Sequence, residues 1–367
     1  MKKVIIISSE FPPLPGGIGN HALHLALSLQ KEGKEVTVIT DQRSHTIEED
    51  VLFDTTLPFK VLRTKRHRLV VVTYLKRIVQ TIRAVQSAKM STSIYSGKFS
   101  LWIGAYMKVF FPNTKAIAVL HGSEINAGGT ISKLQTKWSL SQFDKLIAVS
   151  NFTKQLALEK NAFLKIEVIN NGFSIPKSEE VVLNLDVIGN PAIVTVGNVT
   201  SRKGQQNVIN ALVGLKKSFP EIHYHIIGIP TEKQKFETLS KSIGVFENIT
   251  FHGALSSIDL KQVVSKAKVF FMLSDHLKNG DVEGFGIAVL EANFLGLPSI
   301  GSKSSGIADA IDEGFSGRLV NPHDSDEIMI AMYDIIENYN RYSENAKLWS
   351  EKFKWEIIIK KYMEIID

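Results

Sequence analysis

The sequence contains no cysteine, which excludes a disulfide scaffold and thiolate metal centres and leaves the chain indifferent to its redox surroundings. A reducing cytoplasm is the simplest home. No apolar run approaches the roughly twenty residues that a membrane-spanning helix needs, so no spanning segment is expected. Acidic residues are missing from one long stretch. Between Thr55 and Ser123 there is no Asp or Glu, while Lys60, Arg63, Lys65, Arg66, Arg68, Lys76, Arg77, Arg83, Lys89, Lys98, Lys108 and Lys115 all fall there. Since the whole chain carries only +6, the remainder is net acidic. The basic region, about 60–115, with Leu69-Val-Val-Val72 and an apolar helical face, suits docking on an anionic membrane, or steering of an anionic soluble acceptor. No nucleic-acid-binding module or aromatic-basic platform accompanies it, so nucleic acid is not an expected partner.

What is present is a globular chain of 367 residues, 44% hydrophobic and 22% charged, long enough for two domains. The opening Met1-Lys-Lys-Val-Ile-Ile-Ile-Ser-Ser9 has the basic start of a signal peptide, but its apolar run is too short and lacks a small-residue cleavage site. It reads better as a buried parallel strand at Val4–Ser8. A Pro/Gly-rich loop follows, then helical spacing over Asn20–Lys31, a strand at Val36–Thr40, and further strands at Ser93–Tyr95, Ala116–Leu120 and Lys145–Val149. Helical patterns at Tyr74–Ala88 and Phe152–Glu159 complete a β-α-β rhythm.

After Asn170-Asn-Gly-Phe-Ser-Ile-Pro176 and an irregular stretch to Asn190 the rhythm restarts. Strands are expected at Ala192–Val196, His223–Ile227, Ile249–Phe251, Val269–Met272, Leu297–Ile300 and Gly317–Val320. The expectation is therefore two Rossmann-like, doubly wound domains, 1–172 and 173–349, with ligands in a cleft outside the carboxyl ends of both sheets. The last apolar helical segment, Trp355–Ile366 within about 350–367, is compatible with packing on either domain, including a return to the first.

Four constellations carry chemistry. In Asp281-Val-Glu-Gly-Phe-Gly-Ile-Ala-Val-Leu-Glu-Ala292 a glycine-rich turn leads into good helix formers, a setting whose bare N–H groups suit a diphosphate. Glu283 and Glu291 are too widely spaced, roughly 12 Å if helical throughout, to flank one glycosidic bond as a hydrolase pair does. They suit opposite ends of one elongated ligand. At Val194-Thr-Val-Gly-Asn-Val-Thr-Ser-Arg-Lys-Gly204, Arg202 and Lys203 stand where a strand meets a helix, placed to neutralise a leaving diphosphate. Val119-Leu-His-Gly-Ser-Glu124 puts His121, with Glu124, at another strand end. The loop Glu10-Phe-Pro-Pro-Leu-Pro-Gly-Gly-Ile-Gly19 is not the dinucleotide fingerprint Gly-x-Gly-x-x-Gly, which counts against a dehydrogenase.

The spacing Glu-Gly-Phe-Gly-x-x-x-Leu-Glu-Ala, followed by Gly296-Leu-Pro298 and Ser305-Gly-Ile-Ala-Asp309, resembles the signature of the retaining GT-B glycosyltransferases of the family 4 type, which include mannosyltransferase-like and sucrose-synthase-like enzymes. The resemblance spans nearly the whole chain and is dense beyond about Ala192. It implies that Glu283 contacts the donor hexose and Glu291 the ribose, with backbone N–H groups of Phe285, Gly286 and Ile287 nearby. It further implies that His121 orients the sugar or acceptor, that Gly16 and Gly17 approach the donor phosphates, and that Gly253, in Ile249-Thr-Phe-His-Gly253, borders the nucleotide base. Ser274 ends a strand at the same rim. The family's Gly-Arg is replaced here by Gly197-Asn198, so Arg202 and Lys203 carry the charge.

The implied reaction moves a hexosyl unit, with retention, from a UDP-, GDP- or ADP-sugar to a hydroxyl of a glycan or lipid-linked acceptor in polysaccharide or glycolipid synthesis. Protein cations are expected to replace a metal, with no Asp-x-Asp serving the diphosphate and no cofactor. The pairs His21/His24 and His223/His225 lack a third ligand. A nucleotide-sugar epimerase of the same fold, a pyridoxal-dependent phosphorylase and a non-catalytic sugar-nucleotide-binding protein are the alternatives. The expected location is cytoplasmic, peripheral at the inner face of the membrane.

Overall fold

The computed structural model describes residues 2–44, 46–87, 91–126, 128–174, 185–277 and 280–367, with Val70 described in its backbone only. The chain divides into two compact units, Met1–Gly172 with Trp355–Asp367, and Phe173–Lys354.

The first unit runs β1 (Lys3–Ser8), α1 (Gly17–Lys31), β2 (Glu35–Asp41), α2 (Ile47–Thr55), β3 (Lys60–Thr64), α3 (Val70–Ser87), β4 (Thr92–Ser96), α4 (Lys98–Phe110), β5 (Lys115–Leu120), α5 (Ser123–Asn126), α6 (Thr130–Leu140), β6 (Lys145–Ala148), α7 (Asn151–Lys160) and β7 (Ile166–Val168). All seven strands pair in parallel, in the order β3-β2-β1-β4-β5-β6-β7. The central strands are buried on both faces, as Val4 and Ile6 on one side and Ile7 on the other show at 0% exposure, which is why they read as unbroken apolar runs. The strand order reverses between β1 and β4. Open α/β sheets bind ligands in the crevice at such a switch, outside the carboxyl ends.

The second unit repeats the plan with β8 (Ala192–Val196), a 3-10 turn (Ser201–Lys203), α8 (Gln205–Ser218), β9 (His223–Ile227), α9 (Lys233–Ser242), β10 (Ile249–Gly253), α10 (Ser257–Lys266), β11 (Val269–Met272), α11 (Ile287–Phe294), β12 (Ser299–Ser302), β13 (Gly317–Val320), α12 (Ser325–Glu337) and α13 (Tyr339–Glu351). Its parallel sheet has the order β10-β9-β8-β11-β12-β13, so the switch lies between β8 and β11. Ile193, Leu212, Ile226, Phe271 and Met332 are among the fully buried core residues.

The last helix, α14 (Trp355–Ile366), packs on α1 of the first unit, where Tyr362 Oη lies 3.0 Å from His21 Nε2. Trp355 occupies the space where a side chain at Gly172 would stand.

Local differences from the sequence pattern have physical causes. The strand expected at Leu297–Ile300 is Ser299–Ser302, because Gly296-Leu-Pro298 ends the preceding helix and Pro298 supplies only its carbonyl, to Phe270 N–H. The first helix begins at Gly17, three residues before the expected start. The helix expected over Tyr74–Ala88 is Val70–Ser87, and Ala88 lies outside the described residues, as do Lys89 and 175–184 of the irregular connection. Strand β3 escapes a hydropathy reading because, on an edge strand, its only apolar residues are the pair Val61-Leu62 between Lys60 and Arg63.

Candidate functional site

Two loops meet at the β8/β11 switch of the second unit. Arg202 and Lys203 end the 3-10 turn after β8, and the turn is closed by Gly204 at φ +77°, where any Cβ would collide with the Leu273 carbonyl. That close approach is fastened by Asn207 Nδ2 donating to Leu273 O at 2.9 Å and Asp275 N–H donating to Arg202 O at 3.0 Å. Opposite stands the loop before α11, whose cap Gly286 has φ +94°.

Glu283 lies in that loop. Its Oε2 is 2.8 Å from Lys203 Nζ and accepts a hydrogen bond from Arg202 Nη1, while Arg202 Nε pairs with Asp281 Oδ2 at 3.2 Å. Burial disfavours the Glu283 charge, but Lys203 and Arg202, by charge and hydrogen bonding, outweigh it and hold the carboxyl below the ordinary range. Glu291, one turn into α11, makes no hydrogen bond or salt bridge among the described residues. Burial raises it to about 7 against the pull of Lys203.

The Glu283 loop is braced from behind. Gly306 N–H donates to Glu283 O at 3.0 Å, and a Cβ at Gly306 would overlap the Gly284 carbonyl. Phe285 is 2% exposed and packs on Phe353 with ring centroids 5.9 Å apart, so its side chain belongs to the packing behind the loop. Ile287 is the first residue of α11. Ser274, two residues beyond β11, is buried, and its Oγ has no hydrogen-bond partner among the described residues. Gly253 ends β10 at φ +72° with open space where a side chain would stand; it shares the carboxyl edge of the sheet, two strands from β8.

The first unit has its own cluster. His121 follows β5 and its Nε2 lies 2.8 Å from Ser96 Oγ at the end of β4. Burial lowers His121 to about 3, so the ring is neutral at ordinary pH. Its backbone N–H donates to Glu124 Oε1, and burial raises Glu124 to about 7 despite that bond. Behind His121 stands His21, with ring centroids 5.0 Å apart, itself held by Tyr362. Gly16 caps α1 beside the Glu10 carboxylate, which pairs with Arg43 at 3.5 Å, while Gly17 has open space around it.

The structure thus brings Arg202, Lys203 and Glu283 into direct contact, with Glu291 in the field of Lys203. Residues that sequence reasoning missed are Asp281, partner of Arg202, and Gly306, which lay inside the quoted Ser305–Asp309 motif but had no role. Its signal was the absence of a side chain.

Three expectations need correction. The chain does carry one Asp-x-Asp, Asp324-Ser325-Asp326, and it is a helix cap: Asp324 accepts the N–H groups of Asp326 and Glu327 at 3.0 Å. The pair His223/His225 does have a third neighbour, since His252 Nε2 lies 2.9 Å from His225 Nδ1. His223 Nε2 pairs with Thr250 Oγ1 and His225 Nε2 with the Ile188 carbonyl, and no group able to hold a metal occurs among the described residues. The basic region is also less exposed than its composition implies. Arg63 pairs with Asp50 at 3.0 Å and Asp54 at 2.8 Å, the buried Arg77 with Asp41, and Lys108 with Asp144 at 2.7 Å, all acids from outside the acid-free stretch. No helix among the described residues is long and apolar enough to cross a membrane.

Residues 184–349 match the family model described as Glycosyl transferases group 1, and residues 15–175 match Glycosyltransferase Family 4. The chain is 22% identical over 351 residues to a GDP-mannose-dependent monoacylated alpha-(1-6)-phosphatidylinositol monomannoside mannosyltransferase of Corynebacterium glutamicum, covering 92% of this chain and 89% of that protein. With the GDP-mannose-dependent alpha-(1-6)-phosphatidylinositol monomannoside mannosyltransferase of Mycolicibacterium smegmatis it shares 30% identity over 152 residues, 41% of this chain and 40% of that one. The chain spans less than half the length of most of the curated relatives it matches. Among solved structures, Anabaena Alr3699/HepE in complex with UDP and glucose superposes with a TM-score of 0.77 at 16% identity, covering 100% of this chain and 99% of that one. Two matched models that together take in most of the chain, and a doubly wound parallel sheet in each unit, make it a member of the GT-B glycosyltransferases of the family 4 type.

Proposed function

We propose that the protein is a retaining hexosyltransferase that moves a sugar from a UDP-, GDP- or ADP-sugar to a hydroxyl of a glycan or lipid-linked acceptor. The observation that carries this reading is the Glu283 carboxylate held between Arg202 and Lys203 at the β8/β11 switch. Cations placed this way neutralise a diphosphate, and their value grows as the leaving group gains charge in the transition state.

In the ligand-free protein Glu283 occupies the cations itself. When a donor binds, the diphosphate oxygens take over Arg202 and Lys203, together with the N–H groups of Phe285, Gly286 and Ile287 at the start of α11. Glu283 is then free to accept hydrogen bonds from the hexose hydroxyls, and Glu291 from the ribose. Gly253 and Ser274 border the nucleotide. Protein cations do the work of a metal in this scheme, and the leaving phosphate accepts the acceptor's proton. His121, neutral because it is buried, orients hydroxyls in the first unit, where Gly16 and Gly17 open α1.

The acceptor reading draws on the relatives, two of which are named for mannosyl transfer to phosphatidylinositol mannosides, and on the exposed cations Lys65, Arg66, Arg68, Lys76 and Arg83. These suit the anionic inner face of a membrane, to which the protein would bind peripherally.

Incubation with a panel of donors and hydrophilic or lipid-linked acceptors tests the reading. Release of nucleoside diphosphate that falls by about a hundredfold or more in Glu283→Gln and Lys203→Ala supports transfer. Tight donor binding without turnover against every acceptor would leave a sugar-nucleotide-binding protein instead.

A further inference from the structure

The first unit contains two cavities that share a wall. One, of about 480 Å³, lies at the β1/β4 switch and is the more polar of the two: Ser9, Glu10, Lys98, Ser123 and Glu124 line it, with Phe99 and Trp102 at one side. The other, of about 740 Å³, has Phe99 and Trp102 as its near wall and Ile78, Ile103, Tyr106 and Ile131 around the rest. Trp102 is fixed between them by its indole N–H donating to Thr136 Oγ1 at 3.1 Å, and Lys98 Nζ lies 5.5 Å from its ring centroid.

The surroundings of the apolar cavity are unusual for a water-facing surface. Ile131, which lines it, is 85% exposed. Helix α3, which supplies Ile78 to the lining, exposes Val71, Leu75 and Val79 together with Lys76 and Arg83, and the exposed cations Lys65, Arg66 and Arg68 precede it. An extended apolar surface of this kind marks a binding face, and apolar side chains interleaved with cations match an amphiphile whose polar part is anionic.

We infer that the paired cavities form one amphiphile site, with the hydrocarbon chain of a lipid-linked acceptor lying in the apolar cavity and its sugar head in the polar one. The inference rests on the transferase reading above and specifies its acceptor. Glu10 and Glu124 provide carboxylate oxygens for head-group hydroxyls, Phe99 and Trp102 sit at the junction where head gives way to chain, and the cations of α3 meet the anionic linkage or the surrounding bilayer surface. A wholly hydrophilic glycan would leave the larger of the two cavities unused.

The test is calorimetric binding of methyl, octyl and dodecyl glucosides and mannosides, each below its micelle concentration, to the full chain. Nucleotide-sugar binding is measured on the same samples. The expected result is an affinity that rises with chain length by about fourfold for each methylene that enters, the equivalent of about 0.8 kcal/mol. Ile131→Asp, at an exposed residue of the cavity rim, is expected to abolish that dependence. Leu52→Asp, at an exposed residue of α2 that lines neither cavity, is expected to preserve it. Equal affinity for methyl and dodecyl glycosides, or a chain-length dependence untouched by Ile131→Asp, overturns the proposal. A concentration-dependent dimer that Ile131→Asp disrupts, without chain-dependent binding, would make a second copy the occupant and also overturns it. If nucleotide sugars bind while chain length has no effect, the acceptor site alone fails; if no nucleotide sugar binds, the transferase reading fails independently.

Discussion

Lys203 Nζ stands 2.8 Å from Glu283 Oε2, so the less exposed cation of this cluster is neutralised by the carboxylate proposed to hold the sugar. Removing one partner of such a pair strands the other in a low-dielectric setting. Lys203→Ala is therefore expected to cost stability, by about 1–3 kcal/mol rather than the full penalty of a broken buried pair, since Arg202 still meets the carboxylate. Adding Glu283→Gln should restore most of that stability without restoring turnover. Urea denaturation of the single and double variants checks this, and a Lys203→Ala protein as stable as the parent would mean that the pair is not formed in solution.

Glu124 gives the first unit a pH dependence whose sign is fixed by its burial. Burial raises the carboxyl from 4.5 to about 7 against the opposing backbone N–H bonds, so the folded state holds the proton more tightly than the unfolded chain. The stability this adds is complete below pH 4.5 and is lost as pH climbs through about 7. Glu124→Gln keeps an acceptor for His121 N–H without the ionisation. Relative to the parent, it is expected to gain about 2–3 kcal/mol between pH 5 and pH 8, several degrees in Tm for a unit of this size. A constant difference in Tm between the two proteins across that range would contradict the assignment.

Gly306 tests the brace behind Glu283. Alanine there meets the Gly284 carbonyl, and relief requires the Glu283 loop to move. A displacement of about 1 Å in a positioning group can cost a hundredfold in rate. The expected outcome for Gly306→Ala is nucleoside diphosphate release reduced by about 10- to 100-fold, with a circular dichroism spectrum like the parent's. Full activity would show that the loop is not held where the structure has it.

The fold was legible where burial was complete. Val4–Ile7 and Ala192–Val194 lie on the inner strands of their sheets, and their continuous apolar runs point to buried parallel strands. Edge strands are harder: β3 has only the apolar pair Val61-Leu62 between two cations, and β7 is only three residues long. The meeting of Arg202, Lys203 and Glu283 is legible because the basic pair and the Glu283 loop are each local in sequence. Asp281 and Gly306 were not, since one acts by reaching back to Arg202 across 79 positions and the other by having no side chain. The basic stretch misled in the opposite direction. Its lack of acids was read as a surface property, yet Arg63 and Arg77 are neutralised by Asp50, Asp54 and Asp41, which precede it in the chain.

The most direct test of the central claim is calorimetric titration of the ligand-free protein with UDP-, GDP- and ADP-sugars, repeated on Lys203→Ala and Glu291→Gln. The account predicts that one base class binds in preference to the others, that Lys203→Ala weakens it by at least about tenfold through loss of a charge-assisted contact, and that Glu291→Gln weakens the free nucleoside diphosphate as well as the sugar nucleotide. Binding of none of the three classes by the parent protein, or binding that neither variant changes, would contradict it.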